Sequence, residues 1–413
     1  MNPEETATAH TSDADPPDTP AGARHGTALC LSGGGYRAAL FHLGATRRLN
    51  ELGILASVTT VSGVSGGSIL ANLLADPRLE FRRADATVVG FDEYVATPLR
   101  QLASRNIRTP AFLAKLKPRN WRAPDAAIRA LADELASQFP WWSDPLARND
   151  NGAPEIITGA TEIGYGVDWV FEGPSARSPR GRVGDYRTGY AAWPRDLRRA
   201  DAVAASCAFP PFFSPMVLDG EAMHLRGGRR GVESPGERRG ILRRIRLTDG
   251  GVYDNLALEP VWKNHATVLV SDGGSVFRAR TERTVLGRTQ RILAIATSGG
   301  QSVRSRWLHA SFARGILRGT SWALDTLIDG GYPTQTVTRI SAVRTDLDAF
   351  STAEQQILER HGYLVADAQV RTHAPQLIVR DSDLDPPHPA VADPEVAGAA
   401  LSDSARRLFL GRS

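Results

Sequence analysis

Val58-Thr59-Thr60-Val61-Ser62-Gly63-Val64-Ser65-Gly66-Gly67-Ser68-Ile69-Leu70-Ala71-Asn72-Leu73-Leu74-Ala75 is the stretch whose reading decides the fold. Its first half is rich in β-branched residues and predicts a strand. Its second half carries apolar side chains at helical spacing. Between them sits Gly63-Val64-Ser65-Gly66-Gly67, a GxSxG string on a strand-turn-helix. Such an elbow exposes a serine oxygen, while the glycines permit the backbone crowding that a sharp turn demands. Ser65 is therefore the candidate nucleophile, with Gly63 and Gly67 supporting the turn. Ser62 and Ser68 flank it without holding the elbow position and read as turn and helix-cap hydroxyls.

Two more glycine turns follow short apolar runs. Gly33-Gly34-Gly35-Tyr36-Arg37 comes after the strand-like Thr27-Ala28-Leu29-Cys30-Leu31-Ser32 and precedes a helical pattern through Ala39, Leu40, Leu43 and Leu49. Consecutive glycines can point several backbone amides into one space, which suits the negative charge that develops when a serine attacks a carbonyl. Dinucleotide binding competes, since Gly33, Gly35 and Ala38 match GxGxxA. That reading wants an acidic residue at the end of the next strand, where this chain has Ser62 and Gly63. A lysine-bearing phosphate loop is excluded, because none of Lys115, Lys117 and Lys263 follows a glycine. The third turn, Asp249-Gly250-Gly251, closes the strand-like Ile245-Arg246-Leu247-Thr248. Ligands of open parallel sheets bind beyond the carboxyl ends of the strands, so the three turns are expected to converge there.

A serine nucleophile needs a base. Asp249 is a candidate, provided that burial raises its proton affinity above the ordinary carboxylate value of about 3.9. Asp272, in the equally glycine-rich Asp272-Gly273-Gly274, is its rival. His265, His309, His361, His373 and His388 lie downstream and keep the order Ser, Asp, His open. Zinc and calcium ligand spacings are absent from the sequence, so no metal or other cofactor is expected.

Composition sets the frame. The chain has 413 residues, 42% hydrophobic and 23% charged, as befits a soluble globular protein with a substantial core. No apolar run approaches the roughly 18 residues of a membrane span. The start, Met1-Asn2-Pro3-Glu4-Glu5, leads into no apolar signal segment, so the expected location is cytoplasmic, with peripheral membrane contact left open. Cys30 and Cys207 read as buried thiols rather than a disulfide framework. The net charge of +4 comes from an arginine bias spread along the chain, which argues against a nucleic-acid partner.

Residues 1–26 read as a disordered leader rich in Thr, Asp, Pro and Ala, and 27–380 as one α/β unit that starts strand, helix, strand, helix. A helical insertion is expected at about 81–150, loops at 173–187 and 226–240, and a tail at 381–413. Ser351-Thr352-Ala353-Glu354 predicts a capped helix start. Arg304 to Leu324 combines arginines with Trp307, Leu308, Phe312, Ile316 and Trp322, the pattern of a helix either packed on the sheet or lying in a membrane interface.

Leu31-Ser32-Gly33-Gly34-Gly35-Tyr36-Arg37, Gly63-Val64-Ser65-Gly66-Gly67 and Thr248-Asp249-Gly250-Gly251-Val252-Tyr253-Asp254-Asn255, in this order and at this wide spacing, resemble the patatin-like phospholipase family. Ala204-Ala205-Ser206-Cys207-Ala208-Phe209-Pro210-Pro211-Phe212-Phe213 is similar to a further block of that family. The resemblance covers roughly residues 27 to 275; Ala38, where the family often has glycine, departs from it. It implies a three-layer α/β sandwich, a mostly parallel central sheet flanked by helices. It also implies a Ser-Asp dyad in which Ser65 is nucleophile, Asp249 is proton acceptor and Gly33, Gly34 and Gly35 form the oxyanion loop, with no histidine required. The implied function is hydrolysis of lipid acyl esters, as by a phospholipase A or a lysophospholipase. A noncatalytic lipid-binding module and a small-ester esterase are the alternatives.

Overall fold

The computed structural model describes residues 24–406 apart from 146–151, 176–177, 211–212, 230, 232 and 275–284. Most of the leader, residues 1–23, therefore lies outside the described residues, as do Pro211 and Phe212 of the proline-rich block and Arg230 of the arginine-rich loop.

The strands are β1 (Thr27–Leu31), β2 (Thr60–Val64), β3 (Glu80–Arg82), β4 (Thr87–Val89), β5 (Glu155–Glu162), β6 (Val167–Glu172), β7 (Arg182–Asp185), β8 (Gly189–Ala191), β9 (Met216–Leu218), β10 (Ile245–Asp249), β11 (Thr267–Asp272) and β12 (Arg318–Ala323). The helices are α1 (Gly35–Glu51), α2 (Gly66–Leu73), α3 (Thr97–Ala103), α4 (Arg108–Ala114), α5 (Ala126–Gln138), α6 (Arg199–Ser206), α7 (Pro235–Leu242), α8 (Gly251–Asp254), α9 (Val285–Ala313), α10 (Thr334–Ala342), α11 (Thr352–His373) and α12 (Pro394–Ala400). The stretch 81–150 is mainly helical, through α3, α4 and α5, with the β3–β4 hairpin at its start.

Among the described residues, one mixed sheet has the order β12-β11-β1-β2-β5-β6-β7-β8. Its core run from β12 to β5 is parallel, and it continues antiparallel from β5 to β8. This is the expected α/β class. In β1 the side chains alternate as a pleated strand requires: Leu29 and Leu31 join a core with α1, α2, α5 and α11, while Ala28 and Cys30 join a second core with Leu256, Leu258, Val261 and Leu308. Burial of both faces makes the sheet the middle layer of three. Residues 381–406 also lie against the body, with Tyr332 donating to the Val391 carbonyl and the Arg344 amide to that of Ser404.

The stretches 173–187 and 226–240, expected as loops, hold β7 and the start of α7 respectively. Two further expectations are corrected. β10 was expected to end in the same direction as β1 and β2, but it pairs antiparallel to β5. And Arg304–Leu324 is not one helix: α9 ends at Ala313, the chain turns at Gly315 with φ 67°, and Arg318 to Ala323 form the edge strand β12. Trp322 is buried there, with its indole N–H on the Ser271 hydroxyl at 2.8 Å.

Candidate active site

The antiparallel course of β10 is what brings the two candidate residues together. β2 runs along one edge of β5 and ends with Val64 opposite Gly159. β10 runs along the same edge from the other direction and ends with Asp249 opposite Ala160. Two strands thus meet head to head at adjacent positions of a third, about 3.3 Å apart along β5. The residue after Val64 is Ser65, and its hydroxyl lies close enough to the Asp249 carboxylate to pull the pKa of that group down. Gly250 fits the seam: a Cβ there would stand 2.5 Å from the Gly159 carbonyl and 2.8 Å from Val64 Cγ1.

Ser65 caps the start of α2 at φ 50° and ψ −123°, a backbone setting that costs a non-glycine residue on the order of 1–3 kcal/mol. Ser206, at the end of α6, holds it there. The Ser65 amide donates to Ser206 Oγ at 2.8 Å, and Ser206 Oγ donates to the Gly159 carbonyl at 2.6 Å. Gly66 and Gly67 allow the elbow to press on its neighbours, since a Cβ would lie 2.0 Å from the Gly35 carbonyl oxygen at the first and 2.1 Å from that of Leu31 at the second. Gly63 packs against the Gly67 carbonyl in the same turn.

The first glycine turn lies beside Ser65, and a Cβ on Gly33 would stand 3.2 Å from Ser65 Cβ. The Gly33 amide donates to the Asn255 carbonyl at 3.1 Å and is committed. The amides of Gly34 and Gly35, at the start of α1, have no acceptor among the described residues. Of the three expected oxyanion donors, two remain available to a ligand. Arg37 is placed away from the reacting atoms: buried in α1, it donates to the carbonyls of Ser341, Val343 and Gly273 and ties this turn to the loops around it.

Asp249 is buried, and burial pushes its carboxyl up to about 6 against the opposing pull of the Ser65 hydroxyl and the Gly251 amide, the latter at 2.8 Å. Cys207 is buried beside them, and its thiol is pushed up, chiefly by burial and then by the Asp249 charge, against a smaller opposing pull from Ser68 and Ser65. A proton on Asp249 at neutral pH is thus a minor species, while the thiol keeps its own.

The rivals stand elsewhere. Asp272 ends β11, which is separated from β2 by β1 and so lies about 10 Å across the sheet. Its carboxylate accepts from Gln301 at 2.7 Å and from the Gly274 amide at 2.9 Å. His265 bonds to the Thr60 hydroxyl at the far end of β2. His309 bonds to Ser321, His361 to the Leu324 carbonyl and His388 to Glu359, while His373 is exposed in the last turn of α11. Among the described residues no cluster of metal-binding side chains occurs.

Sequence reasoning missed Ser206 as an elbow support and Asn255 as the acceptor that fixes Gly33. The only signal for either was its place inside a quoted block, Ala204–Phe213 for one and Thr248–Asn255 for the other.

The sequence model described as patatin-like phospholipase matches residues 29–147 and 176–262, which contain all three glycine turns. The chain belongs to the patatin-like phospholipase family. Comparison with curated proteins finds no match. Among solved structures, human GIVD cytosolic phospholipase A2 is similar over 91% of this chain and 63% of its own, at 13% identity and a TM-score of 0.45. VipD from Legionella pneumophila is similar over 86% of this chain and 68% of its own, at 13% identity and a TM-score of 0.37. This member of the family therefore spans less than two thirds of the human protein's length. No helix among its described residues is long and apolar enough to cross a membrane.

Proposed function

We propose that the chain is a lipid acyl hydrolase that cleaves carboxylic esters of phospholipids or lysophospholipids through Ser65 and Asp249. The observation that supports this reading is the head-to-head meeting of β2 and β10 on β5, which brings Ser65 beside a carboxylate whose pKa is raised to about 6. A carboxylate of ordinary acidity would be a weak base for a hydroxyl; one near 6 stays ionised at neutral pH and accepts a proton more readily.

In the proposed reaction Ser65 Oγ attacks the ester carbonyl carbon as its proton passes to Asp249. The amides of Gly34 and Gly35 receive the charge that forms on the carbonyl oxygen, each such donor being worth on the order of 3 kcal/mol in the transition state. The C–O bond to the leaving alcohol breaks, the proton on Asp249 passes to that oxygen, and the acyl group remains on Ser65. Water then attacks the acyl-serine, gives its proton to Asp249, and the fatty acid leaves as Ser65 recovers its hydrogen.

Ser65→Ala is expected to release no fatty acid from any phospholipid or short ester and to lose labelling by a fluorophosphonate probe, with an unchanged circular dichroism spectrum. Asp249→Asn is expected to lower kcat by at least a thousandfold. Parental turnover in a purified Ser65→Ala variant would sink the mechanism, and a parent protein inert to the probe would point to a lipid-binding module instead.

A further inference from the structure

The outer face of α9 has a character that no catalytic role accounts for. Its inner face is anchored beside the site: Gln301 bonds to Asn255 and Asp272, Arg304 lies 3.6 Å from Asp254 and stacks on Tyr253, and Trp307 packs on Trp262. The outer face carries Arg288, Ile292, Ile295, Gly299, Val303 and Arg306, spaced by three or four residues along one side of the helix and all exposed. Ile292 is 66% exposed, Ile295 51% and Val303 58%. Scattered exposed apolar residues are ordinary on a soluble protein, but an aligned stripe of them some 27 Å long is not.

Charge selects the occupant. Val285–Ala313 contains Arg288, Arg291, Arg304 and Arg306 and no aspartate or glutamate. On the stripe itself Arg288 and Arg306 flank the three aliphatic side chains, and Arg306 turns its Nε to the Ser302 carbonyl one turn back. Aliphatic groups in the middle with cations at both ends match an anionic bilayer surface, where the apolar groups enter the acyl boundary and the guanidinium groups meet phosphates. A second protein surface would be expected to bring acids to these arginines, but it would not call for a helix without any acid of its own over 29 residues.

We infer that the outer face of α9 is a docking surface for anionic lipid, seating the protein on a bilayer beside the Ser65 site. The inference deepens the ester-hydrolase reading above, while the surface and the anionic character of the lipid rest on the helix. Docking on the outer face leaves the inner contacts of Gln301 and Arg304 in place, so a soluble substrate needs no bilayer.

Co-sedimentation of the full chain with phosphatidylglycerol–phosphatidylcholine vesicles and with pure phosphatidylcholine vesicles tests it, using Ser65→Ala as well as the parent so that binding is read without hydrolysis. Binding is expected for both proteins on the anionic vesicles, weakened by salt, and reduced about tenfold by Arg288→Glu with Arg306→Glu and by Ile292→Ser with Ile295→Ser. Hydrolysis of a soluble short-chain ester is expected to be unchanged in both double variants, which also reports that they fold. Equal binding by parent and double variants, or no binding to either vesicle, overturns the inference. So does a concentration-dependent dimer that the Ile292 and Ile295 substitutions abolish, because a second copy would then be the occupant. Vesicle binding by a parent that hydrolyses nothing would leave the docking surface standing and remove the enzymatic reading.

Discussion

At the residue scale the site turns on a carboxylate whose surroundings set its proton affinity. In the proposed reaction Asp249 must be ionised to accept the Ser65 proton, and burial raises its pKa to about 6. The value of kcat/KM for a soluble ester should therefore rise tenfold per pH unit below about 6 and level off above it, and a pH-rate profile of the free enzyme between pH 4.5 and 8 checks this. A flat profile across that window would remove Asp249 from the role. The candidate pair Ser65 and Asp249 was legible as a candidate because each sits in a short string that the proposed chemistry calls for, a serine on a glycine elbow and an acid before paired glycines. Ser206 was not, because its task is defined by two main-chain groups, the Ser65 amide and the Gly159 carbonyl, that only the folded sheet brings to it. The commitment of the Gly33 amide to Asn255 was hidden for the same reason. Sequence shows which amides are present and tertiary pairing decides which are spent.

At the scale of elements, type was easier to read than direction. The runs that became β1 and β2 were clear, since buried strands are written in β-branched and aliphatic residues. Nothing in the five residues of β10 states which way it runs; that follows from its pairing with β9 and β5, both antiparallel. The misreading of Arg304–Leu324 has a different origin, because arginines alternating with aromatics fit helical and strand periods alike over short windows. Gly315, an available helix stop, was the sign to heed. Close helix packing was equally invisible. α1 and α11 cross where a Cβ on Gly362 would lie 1.9 Å from the Phe41 carbonyl oxygen, and one on Gly44 1.8 Å from that of Glu359. Gly362→Ala should thus destabilise the fold by about 1–3 kcal/mol through overpacking, although alanine is favoured over glycine in a helix by up to about 1 kcal/mol. Gly299→Ala, where nothing lies within 4 Å of the added carbon, should instead be neutral or stabilising. The urea midpoint should fall in Gly362→Ala and hold or rise in Gly299→Ala, and a shift of Gly362→Ala toward higher urea would contradict the packing account.

At the scale of the whole molecule, one buried acid joins segments far apart in the chain. Glu359 on α11 accepts from Arg47 of α1 at 3.0 Å, from Arg100 of α3 at 2.7 Å and from His388 before α12 at 2.8 Å. Its side chain is fully buried, and burial alone would raise its pKa. The partners win, and the carboxyl is held at about 2 against an ordinary 4.5. A folded-state pKa below the unfolded one stabilises the native state once the unfolded group ionises, so this contribution is complete above pH 5 or so and is lost as pH falls from about 4.5 through about 2. Two to three pKa units correspond to on the order of 3 kcal/mol, which agrees with the cost of removing one member of a buried ion pair. Glu359→Gln keeps the volume and removes the charge that Arg47 and Arg100 face. At pH 7 it should lose about 3 kcal/mol relative to the parent in urea unfolding, and the gap should narrow steadily as both proteins are measured at pH 4, 3 and 2. A gap that stayed constant down to pH 2 would mean that the glutamine costs packing rather than charge, and the tie between the two ends of the fold would then be steric.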